Sequence, residues 1–271
     1  MIKPGEINSI AGKVGVRDAQ IEKDYVISWV LYGISHNAYL KEHLVFKGGT
    51  VLKKVYFPDY RFSEDLDFTF VGEFNIATIK ASFAALFTQV YEASRITLAI
   101  KEETEHDTGN FNFYISYTGP LGGASANKDI KVDITKDEHI CNTPEEKNII
   151  NPYSDLQKEK YGLLCYSLGE VIAEKMRSLM QRTAPRDIYD LWYLFEMDGN
   201  DIENHIFDFQ AKAQYKKLDP KKLTEVVEKK RTTFATHWRD HLADQMTSVS
   251  DFGETWRKLG KHWKGFEKFI E

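Results

Sequence analysis

The chain has 271 residues, a net charge of -5 and a pI of about 6.0, which leaves room for one large or two modest cores and excludes holding nucleic acid by overall positive charge. Cys141 and Cys165 have no Cys or His at ligand spacing, which excludes a disulfide framework or a zinc finger and predicts free thiols in a reducing cytoplasm. No run approaches the roughly 18 apolar residues of a membrane span, and Met1-Ile2-Lys3-Pro4 opens no signal segment, so a cytoplasmic protein with no membrane contact is expected.

Ile7 to Val16 predicts a short helix whose turn into the next reads as packing. From Asp18 to Tyr39, Ile21, Tyr25, Val26, Trp29, Val30 and Ile34 recur at near-helical spacing and predict an amphipathic helix, with Glu22-Lys23-Asp24 on or beside its polar face. Phe46-Lys47-Gly48-Gly49-Thr50 then reads as a turn. Adjacent glycines let a backbone approach a ligand or take positive φ, and Thr50 adds a hydroxyl where a helix begins, so a triphosphate could rest there. A plain helix-entry turn is the competing reading. Val51 to Tyr56 predicts a helix that Pro58 ends.

In Asp65-Leu66-Asp67-Phe68-Thr69-Phe70 strict alternation predicts a strand, with Leu66, Phe68 and Phe70 toward a core and Asp65 and Asp67 on the opposite face. Side-by-side carboxylates are costly without a cation, although a solvated strand face is the ordinary alternative. A glycine turn followed closely by Asp-x-Asp brings together the phosphate and Mg²⁺ ligands that phosphoryl transfer needs.

Residues Ile76 to Ser94 predict a helix, and Ile96 to Ile100, Phe111 to Tyr117 and Lys128 to Thr135 predict strands. The last turns Ile130, Val132 and Ile134 inward and puts Asp133 on the other face, a candidate third carboxylate beside Asp65 and Asp67. Tyr166 to Arg182 predicts a helix with Lys175 at the edge of its apolar stripe, either a snorkelling stem or a cation for a triphosphate. Pro185 separates it from a helix carrying Asp187, with Arg186 and Asp190 spaced as an i,i+4 surface pair. Beyond Gly199, charged helices predict a bundle cored by Phe234, Trp238, Leu242, Trp256, Leu259, Trp263 and Phe266. Lys216-Lys217, Lys221-Lys222 and Lys229-Lys230-Arg231 form either a solvated face or a phosphate track for RNA.

The glycine turn with Asp-Leu-Asp resembles the nucleotidyltransferase signature of the DNA polymerase β superfamily. More narrowly, the chain resembles the AbiEii/AbiGii toxin family. That resemblance rests on Ile21-Glu22-Lys23-Asp24-Tyr25, Lys47-Gly48-Gly49-Thr50, Arg61-Phe62-Ser63-Glu64-Asp65-Leu66-Asp67-Phe68, Glu174-Lys175-Met176-Arg177, Arg182 and Arg186-Asp187-Ile188-Tyr189-Asp190-Leu191.

The resemblance implies an α/β (α+β) fold: a polymerase β-like nucleotidyltransferase core with a mixed, mostly antiparallel sheet over residues 1–198, then a helical bundle over residues 199–271. It implies transfer of a nucleoside monophosphate from a nucleoside triphosphate to a hydroxyl acceptor. Asp65, Asp67 and Asp133 would hold two Mg²⁺ ions, with Mn²⁺ as a substitute. Gly48, Gly49 and Thr50 would cradle the phosphates, with Arg61 and Ser63 beside them. In the family a lysine is taken to contact the phosphates and an aspartate of the following helix is needed; these roles fall on Lys175 and on Asp190, with Asp187 as the alternate. The acceptor would be RNA, at the tRNA 3′ end, and the protein a toxin opposed by a separately encoded antitoxin. Two other functions stand beside this: a nucleotide- or antitoxin-binding protein without turnover, and a transferase acting on a protein or small molecule.

Overall fold

Short alternating segments and two long apolar helices build the first part of the chain. The structure, a computed structural model, describes residues 1–105, 109–123 and 128–270. It divides into two compact units, one of Met1–Glu138 with Pro144–Cys165 and one of His139–Thr143 with Tyr166–Glu271.

The first unit opens with helices α1 (Pro4–Val14), α2 (Asp18–His36) and α3 (Ala38–His43). Gly15 in the left-handed region, φ 67°, ends α1, and the Asn37 side chain caps α3 by accepting from Leu40 N at 3.0 Å. Strand β1 (Leu44–Lys47) leads into the short helix α4 (Gly48–Val51), which a π-helical turn, Leu52–Tyr56, continues. Then come β2 (Leu66–Phe70), α5 (Ile76–Ser94), β3 (Thr97–Glu105), β4 (Phe111–Thr118), β5 (Asp129–Thr135), β6 (Glu145–Asn148) and β7 (Gly162–Cys165).

The strands form one sheet in the order β3-β4-β5-β2-β1-β7-β6. The pairs β2·β5 and β1·β7 are parallel and the others antiparallel, so the expected mixed, mostly antiparallel sheet is present. Phe68, Val132, Phe113 and Ile115 are fully buried, on the face against which α2 and α5 pack; Phe113 meets Phe83 of α5 edge to face at 4.9 Å. The two helices cross closely at Gly33, where a methyl group would lie 2.5 Å from Leu86 Cγ.

Two local expectations change. Glu22 and Asp24 are buried, not on a polar face: α2 is covered almost all round, and each carboxylate meets a lysine, Glu22 with Lys128 and Asp24 with Lys54. Strands β1, β6 and β7 are additional to those predicted. Each has four residues, and β1 is buried on both faces, so neither length nor alternation announces it.

The second unit is helical: α6 (Leu168–Gln181), α7 (Pro185–Trp192), α8 (Ile206–Tyr215), α9 (Leu223–Lys229), α10 (Arg231–Leu242) and α11 (Phe252–Ile270). Ser167 caps α6 by accepting from Glu170 N at 3.1 Å, and Pro185 occupies the first turn of α7, where its missing N–H is harmless. Phe234, Trp238, Leu242, Leu259 and Phe266 are buried as the periodicity predicts. No described helix is long and apolar enough to cross a membrane.

Candidate active site

The glycine turn sits where β1 ends and α4 begins. Gly48 has φ +80°, and a Cβ there would lie 2.1 Å from Asp67 Oδ2, so its backbone rests directly on the carboxylate. A Cβ on Gly49 would lie 2.8 Å from Arg61 Nη2 and 3.4 Å from Ser63 Oγ. The turn thus gathers Arg61, Ser63 and Asp67 around two residues without side chains. Thr50 Oγ1 donates to Asp65 O at 2.5 Å and ties the turn to the entrance of β2. The Thr50 hydroxyl therefore acts on a backbone carbonyl in this state.

Strand pairing supplies the carboxylates. Lys47 of β1 is opposite Asp67 of β2, and Asp67 is in register with Asp133 of parallel β5. Alternation puts Asp65, Asp67 and Asp133 on one sheet face, with the two in-register residues on strands about 4.8 Å apart. All three are half-buried. Lys131 Nζ donates to Asp133 Oδ2 at 2.6 Å. Burial pulls its ammonium down, but the bond to Asp133 and the charges of Asp133 and Asp65 outweigh that and raise it above the ordinary lysine value. Among the described residues no three His, Cys, Asp or Glu side chains converge as a ready-made metal site. The donors are nevertheless hard oxygens at neighbouring positions, which suit Mg²⁺ once Asp133 turns from Lys131.

The second unit holds a different constellation. Lys175 Nζ lies 2.8 Å from Asp187 Oδ1 and 2.7 Å from Asp190 Oδ2, and Arg182 grips Asp187 through Nε at 2.7 Å and Nη2 at 3.0 Å. Lys175, Asp187 and Asp190 are buried, so Lys175 is not a snorkelling lysine and Asp190 does not stand at the surface. Burial pushes the Asp187 carboxyl up, but Lys175 and Arg182 outweigh it and hold it below the usual carboxylate range. Both candidate aspartates of α7 bind the same ammonium; Asp187 also binds Arg182.

The profile described as "Nucleotidyl transferase AbiEii toxin, Type IV TA system" matches residues 29–268. The chain belongs to the AbiEii nucleotidyltransferase toxin family. Two solved structures share the fold of this AbiEii protein. MenT4, a nucleotidyltransferase toxin from Mycobacterium tuberculosis, is 17% identical, with a TM-score of 0.68 over 98% of this chain and 90% of its own. JHP933 from Helicobacter pylori is 17% identical, with a TM-score of 0.56 over 94% of each chain. No curated protein sequence matches the chain.

Several groups in this AbiEii chain escaped sequence reasoning. Arg182 stands in the sequence only as part of a motif, and its pairing with Asp187 forms only in space. Lys131 is an alternating-strand residue without signal of its own. In the basic run, Lys229 pairs with Glu225, and Lys230 donates to Leu179 O, Met180 O and Arg182 O at 2.8, 3.2 and 3.1 Å, closing the end of α6. These lysines serve the helices. Burial pushes the thiols of Cys141 and Cys165 up to about 11 and about 12, which keeps them protonated and inert.

Proposed function

We propose that this AbiEii-family protein moves a nucleoside monophosphate from a nucleoside triphosphate to a hydroxyl of RNA, at the 3′ end of tRNA. The observation that carries the reading is the stacking of Gly48 on the Asp67 carboxylate, with Asp133 in register beside it. A phosphate-sized approach to backbone N–H groups and an acidic pair then occupy one place.

In this reading the N–H groups of the turn from Gly48 to Thr50 hold phosphate oxygens, and Arg61 and Ser63, gathered at Gly49, orient them. Asp65, Asp67 and Asp133 would hold Mg²⁺, which supplies positive charge for the phosphates and lowers the pKa of the attacking hydroxyl. The acceptor oxygen forms a bond to the α-phosphorus, the bond from that phosphorus to the bridging oxygen breaks, and pyrophosphate leaves with the electron pair. The hydroxyl proton passes to Asp133. Lys175, whose ammonium Asp187 and Asp190 hold, takes the family role of the phosphate-contacting lysine. Asp190, bound to Lys175, takes the family role of the needed aspartate, and Asp187 shares in it. A separately encoded antitoxin is the partner that the type IV family implies.

The test incubates the protein with total RNA, Mg²⁺ and each labelled triphosphate in turn. Label at tRNA 3′ ends is the expected result. Label on protein or on a small molecule moves the acceptor to that class, and triphosphate binding without pyrophosphate release in any mixture removes the transfer reaction.

A further inference from the structure

Three consecutive side chains of α2 take hold of three separate segments of the first unit, and each segment carries residues of the proposed site. Successive residues of a helix point about 100° apart, so positions 22, 23 and 24 fan around much of the circumference. An element buried nearly all round can use that fan.

Asp24 Oδ2 accepts from Lys54 Nζ and from Tyr153 OH, each at 2.6 Å, and Lys54 also donates to Ser28 Oγ at 2.9 Å. Lys54 stands in the π-helical turn that continues α4, so this contact fixes the helix behind Gly48-Gly49-Thr50. Lys23 Nζ donates to Glu64 Oε2 at 3.2 Å, between Ser63 and Asp65 in the chain. Glu22 Oε1 accepts from Leu121 N at 2.8 Å, and its Oε2 meets Lys128 Nζ at 2.9 Å, immediately before the strand of Asp133. The turn lies close on this carboxylate: a Cβ at Gly119 would be 2.9 Å from Glu22 Oε1.

We propose that Glu22, Lys23 and Asp24 are positioning residues, a three-pronged clamp that sets the glycine turn, the entrance of β2 and the start of β5 against one helix. The proposal rests on the transfer reading above for its chemistry, though not for its geometry. Buried ion pairs such as Asp24–Lys54 are poor contributors to stability, because desolvation offsets their attraction. What they add over apolar contacts is direction, and a phosphoryl-transfer site depends on direction: small misplacements cost rate rather than binding.

The experiment compares Lys23→Met, Glu22→Gln and Asp24→Asn with the parent by hydrogen exchange, thermal midpoint and transfer kinetics. Lys23→Met should raise exchange in residues 61–68 alone, keep the parental midpoint, and lower kcat by about tenfold with the KM for triphosphate nearly unchanged; Lys23→Arg should restore it. Glu22→Gln should loosen residues 119–123 and 128–135, and Asp24→Asn residues 48–56. Parental kcat and exchange in Lys23→Met, or a rise spread evenly over the whole unit in the variants, overturns the clamp. If the parent transfers no nucleotide to any acceptor, the transfer reading falls and the exchange pattern alone judges the positioning.

Discussion

The two acidic constellations of this protein are built from the same residue types and treat charge in opposite ways. On the sheet face Asp65, Asp67 and Asp133 are half-buried; the Asp133 side chain keeps 29% of its surface exposed and shares one oxygen with Lys131. In the helical unit the Asp190 side chain is fully buried, and Lys175 stands between it and Asp187, with Arg182 closing the other side. Carboxylates near water beside a glycine turn can exchange partners, as binding a cation and a phosphate requires. Carboxylates buried around one ammonium cannot be separated without leaving a charge unpaired. The first arrangement is suited to chemistry; the second is suited to holding a lysine in one orientation.

The strongest attempt to break this contrast is Asp67→Asn. It should lower nucleotide transfer by about 10²–10³-fold, while the thermal midpoint holds or rises because repulsion between neighbouring carboxylates falls. A large loss of stability would make Asp67 a structural residue like Asp190. Lys175→Met should do what Asp67→Asn does not and destabilise the protein by roughly 3–5 kcal/mol, measured by urea unfolding, by stranding buried carboxylates. Adding Asp190→Leu should recover much of that loss.

Gly48→Ala sharpens the sheet side. Its φ of +80° disfavours any side chain, and the added methyl would strike the Asp67 carboxylate, so a cost of about 1–3 kcal/mol is expected together with reduced transfer. The smallest effect is acid sensitivity of the helical unit. Because the Asp187 carboxyl is held below its usual range, its contribution to stability is complete above that range and is lost as pH falls through the lower folded value. Helical circular dichroism followed during acid titration should show Asp187→Asn losing less stability across that window than the parent.

The sheet side was the more legible one. Alternation in residues 65–70 and 128–135 exposed both the strands and the face of their aspartates, because a strand has period two and one buried side. The core of the helical unit was legible for the same kind of reason. In contrast, periodicity places Lys175 at a stripe edge and Asp190 in a surface pair and leaves their charge network invisible, since the period of a helix reports which face is buried and not what a charged group meets there. Glu22 and Asp24 depart from expectation in the same direction: charged residues at polar positions predict solvent, and partners brought from distant segments, Lys54 and Tyr153 for Asp24 and Lys128 and Leu121 N for Glu22, let them be buried.

Local sequence therefore determined the glycine turn, the three aspartates, the alternating strands and, through their order, the family. These follow from preferences of one residue or one period, which act over a few neighbours. The tertiary structure decided the rest: that short β1 runs between β2 and β7, that Asp67 falls in register with Asp133, that Lys175 takes both Asp187 and Asp190, and that Glu22, Lys23 and Asp24 reach three different segments. Each depends on pairing across long stretches of chain, where register and countercharge are set by which surfaces bury together rather than by any residue's own preference.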